Sequence, residues 1–348
     1  MDSISWGKYP RVANHPLARK LLSLEAALQR SPHTIDAYAR GREDFFSLCE
    51  RLQVVPEEAT REHVALWAQE LSTRPANHQS SVRSHLPESL LSNATIQQRL
   101  TAVRLFYDFL VENGARSDNP VGRGRYTPGK VFSGSRERGI LKRQYKPPWI
   151  PNDEQWLALL NAVRLEPVRN RVMFAVAYDA ALRREEVCRL EIADLDFGHR
   201  LLTVRGETTK NGQTRVVPFS MPTAELLSQY LRHRRQITAE RGPLFLSESR
   251  RNGGEAVSIW TWSKVAARIS SVSGVTRFST HTLRHLCLTD LARSGWDIHE
   301  IALFAGHQSL ETTKDYIHLS GRDLAEKLRR GMSLIHERRA AQMGEQIR

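Results

Sequence analysis

The residues of this sequence with the clearest chemical potential are cations, histidines and one tyrosine in its second half. His281 and Arg284 stand three positions apart, so on a helix they would share one face. Arg183 precedes them, with Glu186 three residues later, and Tyr316 follows them. Guanidinium groups bind phosphate oxygens through paired N–H donors, and a tyrosine oxygen becomes a nucleophile when a base and nearby cations activate it. The set therefore indicates phosphoryl-transfer chemistry.

Each motif is weak when it is taken alone. The chain holds a second His-x-x-Arg pair, at His336 and Arg339, and a lone tyrosine is more often a packing aromatic than a nucleophile. Order and context make the signal stronger. Arg183 follows a buried helical pattern, Lys210 lies beside an Asn-Gly turn, and His307 follows a glycine near Tyr316. Only the whole series of motifs, in this order, indicates a function.

In this order, the segments YDAALRREEV, HTLR, FAGH and DY resemble the tyrosine recombinase (phage integrase) family. The resemblance is close from about residue 151 to 320. It is looser in the first half, where TIDAYARGREDFFSLC and ATIQQRLTAVRLFYDFLVENGARSDNP are similar to the family's core-binding helices. The resemblance implies a site-specific DNA recombinase of the two-domain type, without a separate arm-binding domain. Such an enzyme works through a 3′-phosphotyrosyl intermediate and needs no cofactor, metal or ATP.

The resemblance implies a role for each matching residue. Tyr316 corresponds to the nucleophile, and Arg183 and Arg284 to the pair that binds the non-bridging phosphate oxygens. Lys210 corresponds to the hairpin lysine that protonates the departing 5′-oxygen. The hairpin of this chain, TKNGQTR, is less basic than the family's usual pattern, which makes this lysine the least secure of the set.

Further roles follow from the same resemblance. His281 corresponds to the general acid–base histidine, His307 to a second histidine that hydrogen-bonds the phosphate, and Glu186 to an acidic residue that orients the first arginine. Arg184 competes with its neighbour for that first arginine's role, and Ala181 stands where the family often has glycine. The remaining histidines near the motifs are expected to be structural or on the surface; they are His285, His299 and His318.

Composition limits the class of protein. The 348 residues carry a formal charge of +13, and 42 of the 51 cations are arginine, which points to a polyanionic partner. Three separated cysteines exclude a disulfide framework. No apolar run approaches the roughly 18 residues of a membrane span, and the first residues lack a secretory-signal pattern. We expect a protein without membrane association in a bacterial or archaeal cytosol, associated with the nucleoid.

The hydrophobic periodicity predicts a mainly α fold. Helices are expected after Ser31-Pro32, after Pro56 and over 95–112, and again over 152–163, 172–182, 222–240, 255–270, 279–294, 298–305 and 309–318. Strands at 201–204 and 216–219 would flank a hairpin that has Lys210 at its tip. The predicted architecture is an all-α core-binding (SAM-like) domain followed by an α+β catalytic domain with a small antiparallel sheet.

Four segments are predicted: residues 1–120 for DNA binding, a linker at 121–148, the catalytic domain at 149–320 and a tail at 321–348. From Arg123 to Lys146 the linker holds eight Lys or Arg against one Glu, so it is either a solvated connector or a strap along a phosphate backbone. The tail is either a self-packing helix or a segment that docks on a neighbouring protomer.

The expected partner is double-stranded DNA, held between the two domains in a C-shaped clamp. The resemblance implies a homo-oligomer, tetrameric on paired sites and monomeric or dimeric off DNA, with a Holliday-junction intermediate. Sequence choice is expected from Arg-rich helices of the first domain and from the 255–268 region. Candidate DNA contacts are His33, Thr34, Arg40, Arg42, Arg99, Arg104, Arg123, Arg125, Lys142 and Arg143.

Several biological roles remain open. The linker and the divergent loops favour a recombinase for the integration or excision (transposition) of a mobile element. Xer-like dimer resolution and integron-type recombination are the alternatives within the family. Two alternatives come from other classes: a type IB topoisomerase-like enzyme and a DNA-binding regulator that has lost catalysis.

Overall fold

The computed structural model describes residues 4–75, 90–122, 148–209, 212–314 and 316, together with residues 335, 338, 339 and 342. The chain divides into two compact units, Met1–Lys146 and Pro147–Arg348. Several predicted features lie outside the described residues: Lys210, Arg123, Arg125, Lys142, Arg143, nearly all of the linker and most of the tail.

The first unit is helical in its described residues. Its helices are α1 (Pro10–Asn14), α2 (Pro16–Ala27), α3 (Pro32–Arg51), α4 (Arg61–Thr73) and α5 (Asn93–Glu112). Local sequence fixes where the long helices begin. The Ser31 hydroxyl accepts a hydrogen bond from the Thr34 N–H at 3.2 Å, and the Ser92 hydroxyl accepts one from the Thr95 N–H at 3.1 Å. Proline at the first position of α3 has the backbone angle that a helix needs.

The core of this unit forms where α3 packs against α5. Gly41 allows the close approach, because a Cβ atom there would lie 3.0 Å from the Ala102 Cβ. Phe45 contacts the rings of Trp67 and Tyr107 at centroid separations of 5.1 and 6.2 Å. Such aromatic contacts add to the gain from apolar burial, so the interface between α3, α4 and α5 is the stable centre of the unit.

The second unit combines helices with a small sheet. Its helices are α6 (Asp153–Arg164), α7 (Val168–Asp179), α8 (Arg184–Cys188), α9 (Met221–Ile237), α10 (Ile259–Ser273), α11 (Thr280–Arg293), α12 (Ile298–Ala305) and α13 (Leu310–Lys314). Its strands are β1 (Leu195–Asp196), β2 (Leu201–Val204) and β3 (Arg215–Pro218). The strands form one antiparallel sheet in the order β1-β2-β3, in which Leu202 pairs with Val217.

Two apolar clusters position the elements of this unit. The larger one surrounds α7, whose Val172, Met173 and Val176 are fully buried. The smaller one joins the end of α7, α11 and α12, and it includes Leu288, Ile301 and the ring of Tyr316. The second cluster therefore anchors the elements that hold the motif residues.

The structure confirms a mainly α protein with a small antiparallel sheet. Most predicted helices are present, with ends that differ by a few residues. Three differences stand out. Helix α1 was not predicted; the third strand, β1, has only two residues; and the helix expected over 309–318 ends at Lys314 in the described part of the chain. Helix α1 has only five residues, which is too short for a helical period to show in the sequence.

A membrane span needs a helix that is both long and apolar. Within the described residues, no helix combines the length and the apolar character that a membrane span requires.

A stability prediction follows from the turn after α3. Gln53 is exposed and has a φ of +55°, a left-handed conformation that favours glycine. We expect Gln53→Gly to stabilise the protein by roughly 0.5–1 kcal/mol in urea denaturation.

The matched control is Gln69→Gly at an exposed interior position of α4. It should destabilise the protein by about 1 kcal/mol, because glycine has low helix propensity. Equal effects of the two variants would contradict the assigned turn.

Candidate active site

A sharp turn after α7 sets the position of Arg183. Ala181 has a φ of +46°, a conformation that a residue with a Cβ adopts at some cost, and the chain then starts α8 at Arg184. The Arg183 N–H donates to the Glu186 carboxylate at 2.9 Å, so this carboxylate also caps the helix. The sequence motif Ala-Leu-Arg-x-x-Glu thus forms a turn that holds an arginine at the entrance of a helix.

Glu186 binds two arginines at once. Its oxygens accept hydrogen bonds from Arg183 Nη1 at 2.8 Å and from Arg215 Nη1 and Nη2 at 3.2 and 2.7 Å. Only 1% of the Glu186 side chain is exposed. One carboxylate therefore neutralises one of two guanidinium groups, and the pair of arginines keeps an excess positive charge.

Gly306 closes this arrangement from the end of α12. Arg183 Nη2 donates to the Gly306 carbonyl at 3.4 Å. A Cβ atom at Gly306 would lie 3.2 Å from both Cδ and Nη1 of Arg215, and its φ of +62° is left-handed. Glycine at this position therefore meets two requirements: the helix must end there, and Arg215 must pass beside it.

Arg284 is buried on α11, with 1% of its surface exposed, and it links two separate turns of the chain. It donates to the Ala181 carbonyl at 2.6 Å and to the Ala305 carbonyl at 2.7 Å. Its Nη2 also lies 2.9 Å from His307 Nε2. Burial, followed by the charge of Arg183, lowers the pKa of Arg284 to about 10, so the group remains a cation at neutral pH.

His307 completes a chain of contacts from the arginine to the tyrosine. Since Arg284 can only donate, His307 Nε2 accepts, and its Nδ1 then carries the proton and donates to the Thr313 hydroxyl at 2.9 Å. The His307 ring stacks on the Tyr316 ring with a centroid separation of 6.0 Å and an interplanar angle of 14°. Tyr316 is 6% exposed.

The tyrosine hydroxyl meets a second histidine on α11. His285 Nδ1 lies 2.9 Å from the Tyr316 oxygen. The His285 ring also makes an edge contact with His281, at a centroid separation of 4.5 Å. His281 lies at the exposed first turn of α11, whereas His285 is half-buried. The described residues thus bring the tyrosine oxygen into one cluster with three imidazoles and the arginines.

The pKa values reflect a pocket with excess positive charge. Burial, then the charges of Arg284 and Arg183, lower the pKa of His307 to about 4. Partial loss of hydration and the same two arginines lower the pKa of His281 to about 4. For Glu186, burial acts in the opposite direction, but the hydrogen bonds and charge of Arg215 and Arg183 lower its pKa to about 2. The pocket therefore favours any added anion.

The structure brings together Arg183, Glu186, His281, Arg284, His307 and Tyr316 of the predicted set. Lys210 lies outside the described residues. Sequence reasoning missed Arg215 and interpreted His285 as structural or on the surface. A signal existed for each: Arg215 is a cation on an inward-facing strand position, and His285 directly follows Arg284 on the motif helix.

The predicted DNA contacts of the first unit differ in how accessible they are. His33 and Arg40 are exposed, and Thr34 is half-buried beside Ser31. Arg99 pairs with Asp44 at 2.8 Å. Arg104 is half-buried and lines a cleft of about 1100 Å³.

The expectation for Arg42 is wrong, because its guanidinium is fully buried. It binds Glu25 through two hydrogen bonds of 2.7 Å and donates to the Ala102 carbonyl at 3.1 Å. Arg42 therefore stabilises the packing between helices, and its charge is already paired with Glu25 inside the unit.

Comparison with protein families gives two matches. Residues 152–322 match the phage integrase family, and residues 21–114 match the N-terminal SAM-like domain of phage integrases. The tyrosine recombinase XerA of Pyrococcus furiosus is 30% identical over 203 residues, which cover 57% of this chain and 68% of the relative. The tyrosine recombinase XerC of Thermodesulfovibrio yellowstonii is 26% identical over 309 residues, or 85% and 89% of the two chains.

Solved structures show the same fold. The Tn1549 transposon integrase in complex with transposon right end DNA matches with a TM-score of 0.63 and 16% identity, over 89% of this chain and 98% of that chain. A lambda integrase dimer bound to a COC′ core site gives a TM-score of 0.62 at 16% identity, over 88% and 96%.

The paired arginines generate a prediction about stability. We expect Glu186→Gln to destabilise the protein by about 3–5 kcal/mol at neutral pH, because it leaves Arg183 and Arg215 without their counter-charge. Folding lowers the pKa of Glu186 from 4.5 to about 2, so its stabilising charge acts above about pH 4.5 and is lost as the pH falls towards 2. The loss of stability across this window should be smaller in Glu186→Gln.

Urea denaturation at a series of pH values measures both effects. Glu185→Gln, the neighbouring substitution on α8, is the control and should change neither the neutral-pH stability nor the acid slope appreciably. An acid slope that is identical in wild type and Glu186→Gln would contradict the assigned ion pairs.

Proposed function

The chain belongs to the phage integrase family, the tyrosine recombinases, and from this premise we propose that Tyr316 is the nucleophile that breaks and rejoins DNA strands. The phenol oxygen attacks a backbone phosphorus as the bond from phosphorus to the 5′-oxygen breaks. The products are a 3′-phosphotyrosyl link and a free 5′-hydroxyl. The observation that supports this most is the shared cluster: the Tyr316 oxygen contacts His285, and its ring stacks on His307, which contacts Arg284.

Arg183 and Arg284 are the proposed ligands of the scissile phosphate. The diester already has one negative charge, and attack places further charge on its non-bridging oxygens. Two guanidinium groups that are held in position before the substrate arrives stabilise this charge without reorganisation. Their anchors are the Glu186 carboxylate and the carbonyls of Ala181 and Ala305. DNA would supply the anion that this pocket lacks.

Proton transfers are assigned to the remaining members of the set. A phenol with an ordinary pKa near 10 needs its proton removed as it attacks, and the 5′-oxygen needs a proton as it leaves. His281 is the proposed acid–base group, because it is neutral and exposed at the first turn of α11. His307 would donate a hydrogen bond to a phosphate oxygen from Nε2 in its other tautomer, and Lys210 is the proposed acid for the leaving oxygen.

Rejoining follows from the same chemistry in reverse. The phosphotyrosyl ester keeps the energy of the broken diester, so a 5′-hydroxyl can attack it without a nucleotide. Attack by the original 5′-hydroxyl restores the strand, whereas attack by one from a partner duplex exchanges strands. The proposed assembly for exchange is a tetramer on two DNA sites that passes through a Holliday junction.

DNA binding is proposed to involve both units. In the second unit, α10 presents Trp260, which is 77% exposed, and the exposed Lys264, and Arg184 Nη1 joins α8 to α10 by donating to the Ser263 hydroxyl at 3.3 Å. In the first unit, His33, Arg40 and other exposed residues are the candidates. Because phosphates dominate such contacts, the affinity should fall steeply as salt rises.

The biological role that we propose is integration or excision of a mobile element, and the long basic linker and the divergent loops of the sequence favour it. Dimer resolution of the Xer type is the second candidate, which the relatives named XerC favour. Genomic DNA of the source organism separates the two. Covalent capture at repeats that flank the gene would support a mobile element, and capture at a single distant chromosomal site would support dimer resolution.

The direct test of the proposed chemistry uses nicked duplexes with a randomised sequence, from which a cleaved strand cannot be rejoined. We expect the wild-type protein to form an adduct that resists detergent. The sequence of the DNA captured in this adduct identifies the cognate site. Tyr316→Phe should form no adduct while its affinity for the intact duplex changes little. A protein that binds the duplex but never forms an adduct would be a regulator.

A type IB topoisomerase gives a different pattern in the same experiment. It would relax a plasmid that contains no selected site, in a reaction that depends on Tyr316. We expect no such relaxation, because a site-specific recombinase needs its cognate sequence to assemble. Relaxation at many unrelated sites would contradict the recombinase assignment.

A further prediction concerns Arg284. Arg284→Lys keeps a positive charge but loses the planar group that binds two carbonyls and the phosphate together. We expect adduct formation to slow by about 10²–10³-fold, the usual effect of removing one transition-state donor. Arg293→Lys, an exposed change near the end of the same helix, should have no such effect in a single-turnover assay. Similar rates for both variants would contradict the role of Arg284.

A further inference from the structure

The tyrosine hydroxyl contacts a histidine that is absent from the proposed set of phosphate-binding and proton-transfer residues. Tyr316 is 6% exposed, in an apolar cluster that includes Leu288 and Ile301. At the edge of this cluster its oxygen lies 2.9 Å from His285 Nδ1. A buried phenol O–H needs an acceptor, because a buried donor without one has lost its hydrogen bond to water and gained none. His285 provides one at the place where the nucleophile must be held.

The surroundings of His285 keep it neutral. His281 contacts its ring from the preceding turn of α11, Arg284 is its neighbour in sequence, and His307 faces it across the tyrosine. Burial, then repulsion from a charge on His281 and from Arg284, lower the pKa of His285 to about 3, so the neutral form of both histidines is favoured. A neutral imidazole has one N–H and one acceptor nitrogen, so a proton on Nε2 leaves Nδ1 to accept from the phenol.

The rotation of the phenol is restricted from two sides. The His285 ring lies 5.6 Å from the Tyr316 ring at 35°, and the His307 ring stacks at 6.0 Å on it. His285 also accepts a hydrogen bond at its own carbonyl from the Thr289 hydroxyl at 2.8 Å, within the regular part of α11. The acceptor for the phenol is thus fixed on a rigid helix, one residue after a proposed phosphate ligand.

We propose that His285 is a positioning residue for the reaction, which orients the Tyr316 oxygen towards the phosphate by accepting its hydrogen bond at Nδ1. The inference depends on the proposed function, in which this oxygen attacks the DNA. His285 only accepts the hydrogen bond of the phenol, and His281 remains the proposed group that takes the phenol proton. His285 holds the protonated phenol in one orientation before DNA binds, so the entropy of orienting the nucleophile is already lost when the substrate arrives.

Two substitutions separate the hydrogen bond from packing. His285→Phe keeps an aromatic ring at the site but has no acceptor. His285→Asn loses the ring, but its Oδ1 lies the same number of bonds from the backbone as Nδ1 does. A role in packing alone predicts that Phe is tolerated better than Asn. A positioning role predicts the reverse. His299→Phe, at an exposed histidine of α12, is the matched control.

The first measurement needs no DNA. In protein labelled with ¹⁵N at its histidines, NMR should show His285 as the tautomer with a proton on Nε2. Its Nδ1 signal should shift in Tyr316→Phe, because the phenol O–H is gone. A His285 that is protonated on Nδ1, or an Nδ1 signal that Tyr316→Phe leaves unchanged, would overturn the proposal.

The second measurement is the single-turnover rate of adduct formation at saturating protein, on a nicked duplex that the wild-type protein has selected from the randomised pool. We expect His285→Phe to slow this rate by about tenfold or more, in line with the loss of one hydrogen bond, with unchanged affinity for the intact duplex. His285→Asn should recover most of the rate, and His299→Phe should match wild type.

The outcomes distinguish the two levels of the account. If the wild-type protein forms the adduct and His285→Phe forms it equally fast, the positioning role is wrong while the proposed function stands. If Phe and Asn lose the rate equally, or Asn loses more, the contribution of His285 is packing and the proposal also fails. A wild-type protein that forms no adduct with any duplex overturns the proposed function itself.

Discussion

Positive charge that is held in place without a substrate is the constraint on which the rest of the catalytic unit depends. Arg183 and Arg215 share the single carboxylate of Glu186, and Arg284 is bound by backbone carbonyls, which carry only partial charge. The guanidinium groups repel one another strongly, because they are close together in a medium of low polarity. The arrangement is stable only because each of them is fixed by several hydrogen bonds. The unsatisfied positive potential is the property that selects a phosphate.

The fold is organised to meet this constraint. A left-handed residue at Ala181 turns the chain from α7 into α8, and Gly306 ends α12 close enough for Arg215 to pass. Both turns present carbonyl groups to Arg284, so one side chain on α11 links the end of α7 to the end of α12. The apolar cluster around Leu288 then carries the tyrosine ring into contact with the histidines.

The sequence predicted the parts of this site whose signals are local. The Ser-Pro start of α3 and, in the site itself, the spacing of His281 and Arg284 are both visible within a few residues. Arg215 and His285 each had a local signal, but their partners were not visible, because these contacts join segments far apart in the chain. Arg42 was misjudged although its spacing is a signal, because it falls on the same face of α3 as the buried Ile35 and Phe45. The sequence does not show its partner, Glu25, which lies on another helix.

The most direct test of the account is to measure the pKa values of the active-site imidazoles by NMR in the DNA-free protein. The account predicts values near 4 for His281, 3 for His285 and 4 for His307, each below the ordinary 6.5, because burial and the fixed arginines disfavour any further positive charge. Binding of the selected duplex should raise all of them, since its phosphate cancels part of that charge. Ordinary values in the free protein that do not change with DNA would contradict the central claim.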